Sequence, residues 1–497
     1  MELIFFGFAV CIVFVWLINR WYSRAFVSLA YKVPSNRWHT FLGWGKILRG
    51  KDILKNMYEH GKKYGPNCVY WMGPLPFFIS TDPQILKEIL TSKNCIDKPL
   101  ILYKGFTSVA GQGIITENEP IWTQHRKLLN KAFSHKMLMS FIQIFHKESN
   151  GHIKQIQSCL ENKEDIDLLV IFRELTIKIA TKTLLQRNLE QTEFNSVIMS
   201  KHLHGILQYI ADICFTPVMN IPWIRKIADN IIYKSAKDGL DMFKKLVAES
   251  LYIKQYNTTD PSYLPKVNSI LEHVLRGTKQ NLLKYNEIEG QIMHIFAGAT
   301  ETTSSTLFFA ISLLAMHEEY QSRAFEEIIN ILPEDDNVVL TLEQLDQLVY
   351  LEMILNETMR LLPVVPMVFR MVKNDKLTLS NGLTLAVGQR ICIDIFRLHR
   401  SKELWGLKAD LFNPDNFLPE NIAARHPYAF IPFTKGQKFC IGSRYAILFL
   451  KTALAKLIKA YKFTTDFKYK YIVPENHMTL KLVQGPQIRI EKRITPE

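Results

Sequence analysis

The stretch Phe433-Thr-Lys-Gly-Gln-Lys-Phe-Cys-Ile-Gly442 constrains this chain more than any other, because it sets Cys440 between two apolar residues and two glycines. A lone cysteine among hydrophobic residues is by default a buried, inert thiol. The flanks here argue for a ligand instead. Gly436 and Gly442 allow tight turns that aim backbone N–H groups at the sulfur. The following residues, Ser443 to Leu450, have helical apolar spacing, which places the sulfur near a helix N-terminus whose partial positive charge favours a thiolate. Cys440 is therefore a candidate metal ligand, held as a thiolate.

Phe433, Gly436, Lys438, Cys440 and Gly442 together resemble the haem-binding loop of the cytochrome P-450 haem-thiolate monooxygenases, F-x-x-G-x-R-x-C-x-G, with Lys438 at the position of the arginine. The charge is kept, but the planar fork that grips a carboxylate with two hydrogen bonds is not. The resemblance implies that Cys440 binds the iron of haem b and Lys438 a haem propionate. Replacement of Lys438 by arginine is then expected to keep or strengthen haem binding.

The chain has 497 residues, beyond the length at which single cores usually stop growing, yet no Gly/Ser tract, proline-rich run, charge block or short-period repeat divides it. With 47% hydrophobic residues it has material for a core that encloses a cofactor and an apolar pocket. The seven cysteines are scattered and lack a C-x-x-C pair, which argues against a disulfide framework or a zinc ribbon and fits a reducing compartment. A formal charge of +14 suggests an acidic partner. Basic and acidic residues are interspersed throughout, with no basic arm and no Cys/His finger, so nucleic acid is not that partner.

Leu3 to Ile18 is an uninterrupted run of 16 apolar or glycine residues, followed by Arg20, Trp21, Tyr22 and Arg24. At about 1.5 Å per residue it spans roughly 24 Å, short of the ~30 Å hydrocarbon core, and Trp21 and Tyr22 extend it at the interface. The run begins Met1-Glu2 without a basic leader or a clear cleavage site, so an uncleaved signal anchor is expected over residues 1–24, with the remainder cytosolic.

Further motifs follow in order. Asp52 to Tyr64 has helical spacing, and Cys68 to Ser80 reads as an antiparallel pair of strands. Trp122 and Arg126, four apart on one helix face, begin a basic helix running through Lys127, Lys131 and Lys136. They resemble the family's pair that hydrogen-bonds a propionate, on a helix that docks an acidic reductase. Gln291 to Leu314 is the longest apolar helix, and it carries Gly298-Ala-Thr-Glu-Thr-Thr-Ser-Ser305. Glycine costs a helix about 1 kcal/mol relative to alanine and hydroxyls compete for its backbone, so simple packing does not favour this segment. It resembles the family's [AG]-G-x-[DE]-T-[TS] motif, in which an acid and an alcohol deliver protons to bound dioxygen. Glu301 and Thr302 match them, and Ala299 stands where glycine is usual. The plain alternative is a set of hydroxyls bonded to their own helix.

Leu345 to Leu362 reads as one helix that ends in Glu357-Thr-Met-Arg360, resembling the family's E-x-x-R signature. Phe412 to Glu420 resembles the later P-E-R-F-like segment, with Asn416 replacing its arginine. Glu357, Arg360, Asn416 and Phe433 are thus expected to brace the haem loop rather than do chemistry. Arg370 matches a further propionate ligand of the family, His399 is read as structural, and Met478 to Arg489 resembles the family's hairpin, whose turn near Gly485 would reach into the substrate pocket.

The resemblance runs from about residue 34 to the end. It implies a mainly α fold with small β-sheets, the cytochrome P-450 fold, over residues 25–497 behind an N-terminal transmembrane anchor in the endoplasmic reticulum. It implies monooxygenation of an apolar small molecule with non-covalent haem b and electrons from NADPH. NADPH-cytochrome P-450 reductase would deliver them, with cytochrome b5 as a further partner. The likeness is greatest to the insect and vertebrate fatty-acid ω-hydroxylase clan, through Asn416 to Glu420 and Tyr428 to Phe433. Gly298 stands where many members of that clan carry a glutamate able to esterify the haem. Two alternatives stay open: a reductase-independent peroxide isomerase, which NADPH dependence would discriminate, and a haem-binding protein without catalysis.

Overall fold

The computed structural model describes residues 52–72, 75–216, 219, 221–256, 260, 262, 263 and 268–493, and near the N-terminus residues 7, 9, 10, 12–14, 16, 17, 29 and 32–35. The expected anchor over residues 1–24 therefore lies largely outside the described residues, among which no helix is long and apolar enough to cross a membrane.

The chain is mainly helical with small sheets. Helices α1 (Ile53–Tyr64), α2 (Pro83–Thr91), α3 (Lys104–Ala110), α4 (Ile121–Ala132), α5 (His135–Glu161) and α6 (Leu168–Ala180) make up the first part. Then follow α7 (Ser196–Phe215), α8 (Pro222–Ile231), α9 (Lys234–Tyr256), α10 (Ile270–Lys279) and α11 (Ile288–Met316). The last are α12 (Glu318–Ile331), α13 (Leu342–Gln347), α14 (Val349–Leu361) and α15 (Ser443–Ala460). Side-chain caps start several of them. Asp82 accepts from the N–H groups of Gln84 and Ile85, with Pro83 in the first turn of α2, and Asp167 and Asn195 do the same for α6 and α7.

Helix α11 is the axis of the molecule. It is buried on nearly every face, as an all-round apolar helix must be, and it packs on α6, α9, α14 and α15. Beside this bundle lies one four-stranded sheet in the order β1 (Asn67–Met72), β2 (Leu75–Ser80), β6 (Arg390–Asp394), β3 (Met367–Met371). Strands β1 and β2 pair antiparallel, β2 and β6 parallel, and β3 lies antiparallel to β6 with Arg370 opposite Ile391. Smaller pairs join β4 (Leu377–Thr378) to β5 (Thr384–Leu385), β7 (Tyr461–Thr464) to β10 (Arg489–Lys492), and β8 (Val473–His477) to β9 (Thr479–Gln484).

Three expectations are corrected. The helix read over Leu345–Leu362 is two helices, α13 and α14. Leu348 leaves helical geometry (φ −73°, ψ 67°), and α14 restarts because the Glu327 carboxylate of α12 accepts from the N–H groups of Tyr350 (2.6 Å) and Leu351 (2.9 Å). The basic helix starting at Trp122 ends at Ala132, so Lys136 belongs to α5. The C-terminal hairpin turns at Met478, which takes a left-handed φ of 66°, and not near Gly485, which follows β9.

Candidate active site

A cavity of about 270 Å³ lies between α4, α11, the segment after α14 and the loop from Phe433 to Gly442. Its wall is mainly apolar. Ile295, Gly298, Ala299 and Thr302 contribute from α11, and Pro363, Val364 and Val365 from the chain leaving α14.

Cys440 lines this cavity, and the exposure of its side chain is towards that space. The loop is closed by a bond from the Cys440 N–H to the Phe433 carbonyl (3.0 Å), and α15 begins three residues after the sulfur. Burial pushes the Cys440 thiol up, opposed by the Gly442 N–H and the Arg126 guanidinium. A thiolate at this depth therefore calls for a cation on its open side. The two glycines differ in role. Gly436 is left-handed and packed against Leu90 of α2, whereas Gly442 has an ordinary φ of −87° as the residue before α15.

Four cations gather around one end of the cavity. Lys98, Arg126 and Lys438 line it, and Arg370 lies buried close behind. Their hydrogen bonds go to neutral groups: Lys98 to the Ile115 carbonyl (2.6 Å), Lys438 to the Glu117 carbonyl (2.8 Å), Arg370 to the Phe369 carbonyl (2.9 Å), and Arg126 to the Asn130 side chain (2.9 Å). None forms an ion pair among the described residues. Burial pushes Lys438 down to about 7, with Arg370 adding to the effect, and pushes Lys98 well below the usual lysine range, helped by Lys438 and Arg370. Desolvated cations that repel one another are stabilised by anions placed between them, and the two propionates of a haem fit that requirement. Trp122 is buried beneath, with the Lys438 ammonium 4.7 Å and the Arg126 guanidinium 6.0 Å from its ring. Lys98 was not singled out by sequence reasoning, since a lysine between Asp97 and Pro99 carries no motif.

The acid and alcohol of α11 diverge. Thr302 lines the cavity, its hydroxyl donating to the Gly298 carbonyl (2.6 Å), while Thr300, Thr303, Ser304 and Thr306 also bond back to their own helix. Glu301 does not reach the cavity wall. Its carboxylate is gripped by Arg173 of α6 through two bonds of 2.9 Å, both side chains being buried. Arg173 had no signal in the sequence, as it stands 128 residues away.

The bracing residues form one network. Glu357 and Arg360, each fully buried, pair through two bonds of 2.7 Å, and Arg360 also donates to the carbonyls of His399, Ala409 and Leu411. The Asn416 side chain meets Glu357 (3.1 Å) and not Arg360, because its amide N–H₂ donates to the carboxylate. His399 is structural, accepting from the Ile431 N–H (3.0 Å). A second buried network ties α4 to α11. His125 faces Glu117 (2.9 Å), and Gln291 bonds Glu117 (2.6 Å) and the Ile114 N–H (3.0 Å), fixing the loop that carries Lys98's acceptor.

The profile of the cytochrome P450 family matches residues 33–488. Among curated proteins, the chain is 36% identical to the probable cytochrome P450 313a4 of Drosophila melanogaster over 483 residues, covering 96% of this chain and 97% of that one. It is 31% identical to the probable cytochrome P450 313a1 of the same organism (96% and 97% covered), and 27% identical to its cytochrome P450 4c3 (97% and 93%).

Proposed function

The chain belongs to the cytochrome P450 family and is a haem monooxygenase of that kind; on that premise we propose that it inserts one oxygen atom into an apolar small molecule, with electrons passed from NADPH by a flavoprotein reductase. The observation that carries this reading is one apolar cavity that joins the Cys440 sulfur, the Thr302 hydroxyl and the cations Lys98, Arg126 and Lys438, with Arg370 close behind and none of the four in an ion pair among the described residues.

When bound, haem b supplies the redox chemistry that activates dioxygen, and a thiolate ligand favours O–O cleavage. Cys440 would ligate the iron, and Lys98, Arg126, Arg370, Lys438 and Trp122 would hold the propionates. Gly298 offers no side chain for attachment, so the haem is held without a covalent bond. Thr302 handles protons at the cavity once its hydroxyl leaves the Gly298 carbonyl, and Glu301 joins it once its carboxylate turns from Arg173. Glu357, Arg360, Asn416 and Phe433 keep the cysteine loop in place. The apolar wall excludes water and selects an apolar substrate.

The apolar run from Leu3 to Ile18 followed by Arg20 and Arg24 supports a single-pass anchor in the endoplasmic reticulum, with residues 25–497 as a cytosolic catalytic domain. Lys127 and Lys131 on α4 support docking of an acidic reductase, and cytochrome b5 fits the same charge.

The reduced, carbon monoxide-bound protein should show the thiolate-type Soret band. Haem bound without that band overturns Cys440 as ligand. Thr302→Ala is expected to keep haem and NADPH oxidation while product per NADPH falls several-fold; unchanged coupling removes Thr302 from the proton path. A panel of difference spectra with fatty acids, terpenoids, steroids and xenobiotics identifies the substrate class.

A further inference from the structure

Arg425 is an ordered, half-buried arginine with no ion pair among the described residues. Its guanidinium lies 3.8 Å from the centre of the Trp405 ring and 5.9 Å from that of Phe417, and it donates to the Asn416 carbonyl (2.8 Å). The same indole is approached by Arg360, at 4.8 Å. Two guanidinium groups on one ring repel each other, and burial together with Arg360 pushes Arg425 below the usual arginine range. The nearby charge that offsets this is Glu357, which already binds Arg360 twice, the Asn413 N–H and the Asn416 amide. Arg425 is thus the outer cation of a cluster with one carboxylate at its centre, and its place is held by the aromatic face.

That aromatic face is connected to the cysteine loop. Trp405 and Phe417 pack on Phe430 with ring centres 6.2 and 4.7 Å apart, and His399 lies 5.2 Å from the same ring. The next residue, Ile431, donates its N–H to His399, the Thr434 N–H returns to the Ile431 carbonyl, and the Cys440 N–H closes on the Phe433 carbonyl. Arg425 stands at the start of this segment and Phe433 at its end.

We propose that Arg425 is a positioning residue for the iron ligand: its guanidinium on Trp405 supplies the second cation of the Glu357 cluster, and so fixes the segment that sets the Cys440 loop. This rests on the haem-thiolate reading above. The side chain of Asn416 lies 3.1 Å from Glu357, so a guanidinium built at 416 would enter the same cluster from its other side. A role carried by the charge predicts that the cation can be supplied from either position, which a purely local packing role would not allow.

The test uses the full chain, with haem per chain, the reduced carbon monoxide spectrum and far-UV circular dichroism as readouts. Arg425→Ala should keep its helical signal, yet lose more than half of the thiolate-type Soret band. Adding Asn416→Arg to that variant should restore most of it. Arg425→Gln, which retains an amide donor for the Asn416 carbonyl but carries no charge, should fall with the alanine variant and replaces it if that one aggregates. A full thiolate band in Arg425→Ala or Arg425→Gln overturns the proposal. So does a loss that Asn416→Arg leaves unrepaired, since the effect would then be local packing. Absence of the band in the unaltered protein would instead remove the haem-thiolate reading, and this inference with it.

Discussion

At Gly436 the backbone takes a φ of +76°, and a Cβ built there would lie 1.9 Å from the Leu90 carbonyl oxygen. Left-handed geometry costs an ordinary residue about 1–2 kcal/mol, and overpacking adds about 1–3 kcal/mol, so Gly436→Ala should destabilise the loop by roughly 2–5 kcal/mol. Thermal unfolding of the haem-free chain measures this directly, and a shift within error would mean that α2 can move aside. Gly442→Ala makes the contrast. Its Cβ would meet nothing within 4 Å and its φ is ordinary, so the haem-free chain should tolerate it. Any loss in Gly442→Ala confined to the haem-loaded protein then reports contact with the bound group. At this scale the sequence was legible where partners are neighbours in the chain: Cys440 between its glycines, and Glu357 three residues before Arg360. It was not legible where a side chain is claimed by a distant one. Nothing around Glu301 announces Arg173, and nothing around Lys98 announces a carbonyl at Ile115.

Helix α8 shows what pattern reveals at the next scale. Trp223, Ile227 and Ile231 recur every four residues on one face and are 66%, 53% and 76% exposed, while Ala228 faces inward. Soluble surfaces seldom leave such a stripe bare. With the anchor expectation at the N-terminus, the stripe fits the headgroup boundary of a bilayer. Burying side chains of this size contributes about 1.5–3 kcal/mol each. In vesicles containing brominated lipids, part of the tryptophan emission should be quenched, and Trp223→Phe should lower the quenched component, leaving the share that belongs to Trp16 and Trp21 of the expected anchor. Equal quenching in both proteins would place α8 away from the lipid. Helix boundaries were harder to read than helix faces. The split between α13 and α14 depends on Glu327 of another helix capping the restart, and the hairpin turn on Met478 taking a left-handed φ that glycine would ordinarily supply. Both outcomes are tertiary, so periodicity alone pointed to a longer helix, and the family resemblance to a turn near Gly485.

Across the whole molecule, folding shifts a set of histidines, of which His294 and His399 are shut away from water and His60 and His204 are half-buried. Burial pushes His60, His204 and His294 down to about 4, and His399 down to about 3, from an ordinary 6.5. Three of the rings accept a hydrogen bond, which only the neutral form can do: His204 from the Lys481 ammonium, His294 from the Ile115 N–H and His399 from the Ile431 N–H, whereas His60 donates to the Val69 carbonyl. The sign follows from proton counts. Between pH 6.5 and about 4 the unfolded chain binds protons at these sites and the folded chain does not, so stability is complete above 6.5 and falls as pH drops through this window. At pH 5 a histidine lowered from 6.5 to 4 contributes about 2 kcal/mol less than at neutral pH, a large share of the ~5–15 kcal/mol that holds a typical domain together. Stability from urea unfolding at pH 7.5 to 4.5 should therefore fall below pH 6.5, by about 1.4 kcal/mol per pH unit for each of the buried His294 and His399 and by less for the half-buried His60 and His204, where solvent screens the effect. His399→Gln, which keeps an acceptor for the Ile431 N–H but cannot bind a proton, should flatten the acid slope by one proton. A profile that is level down to pH 5, or a slope that His399→Gln leaves unchanged, would show that the interior admits water or moves to solvate these rings. The fold would then be looser around the cysteine loop than its hydrogen bonds imply.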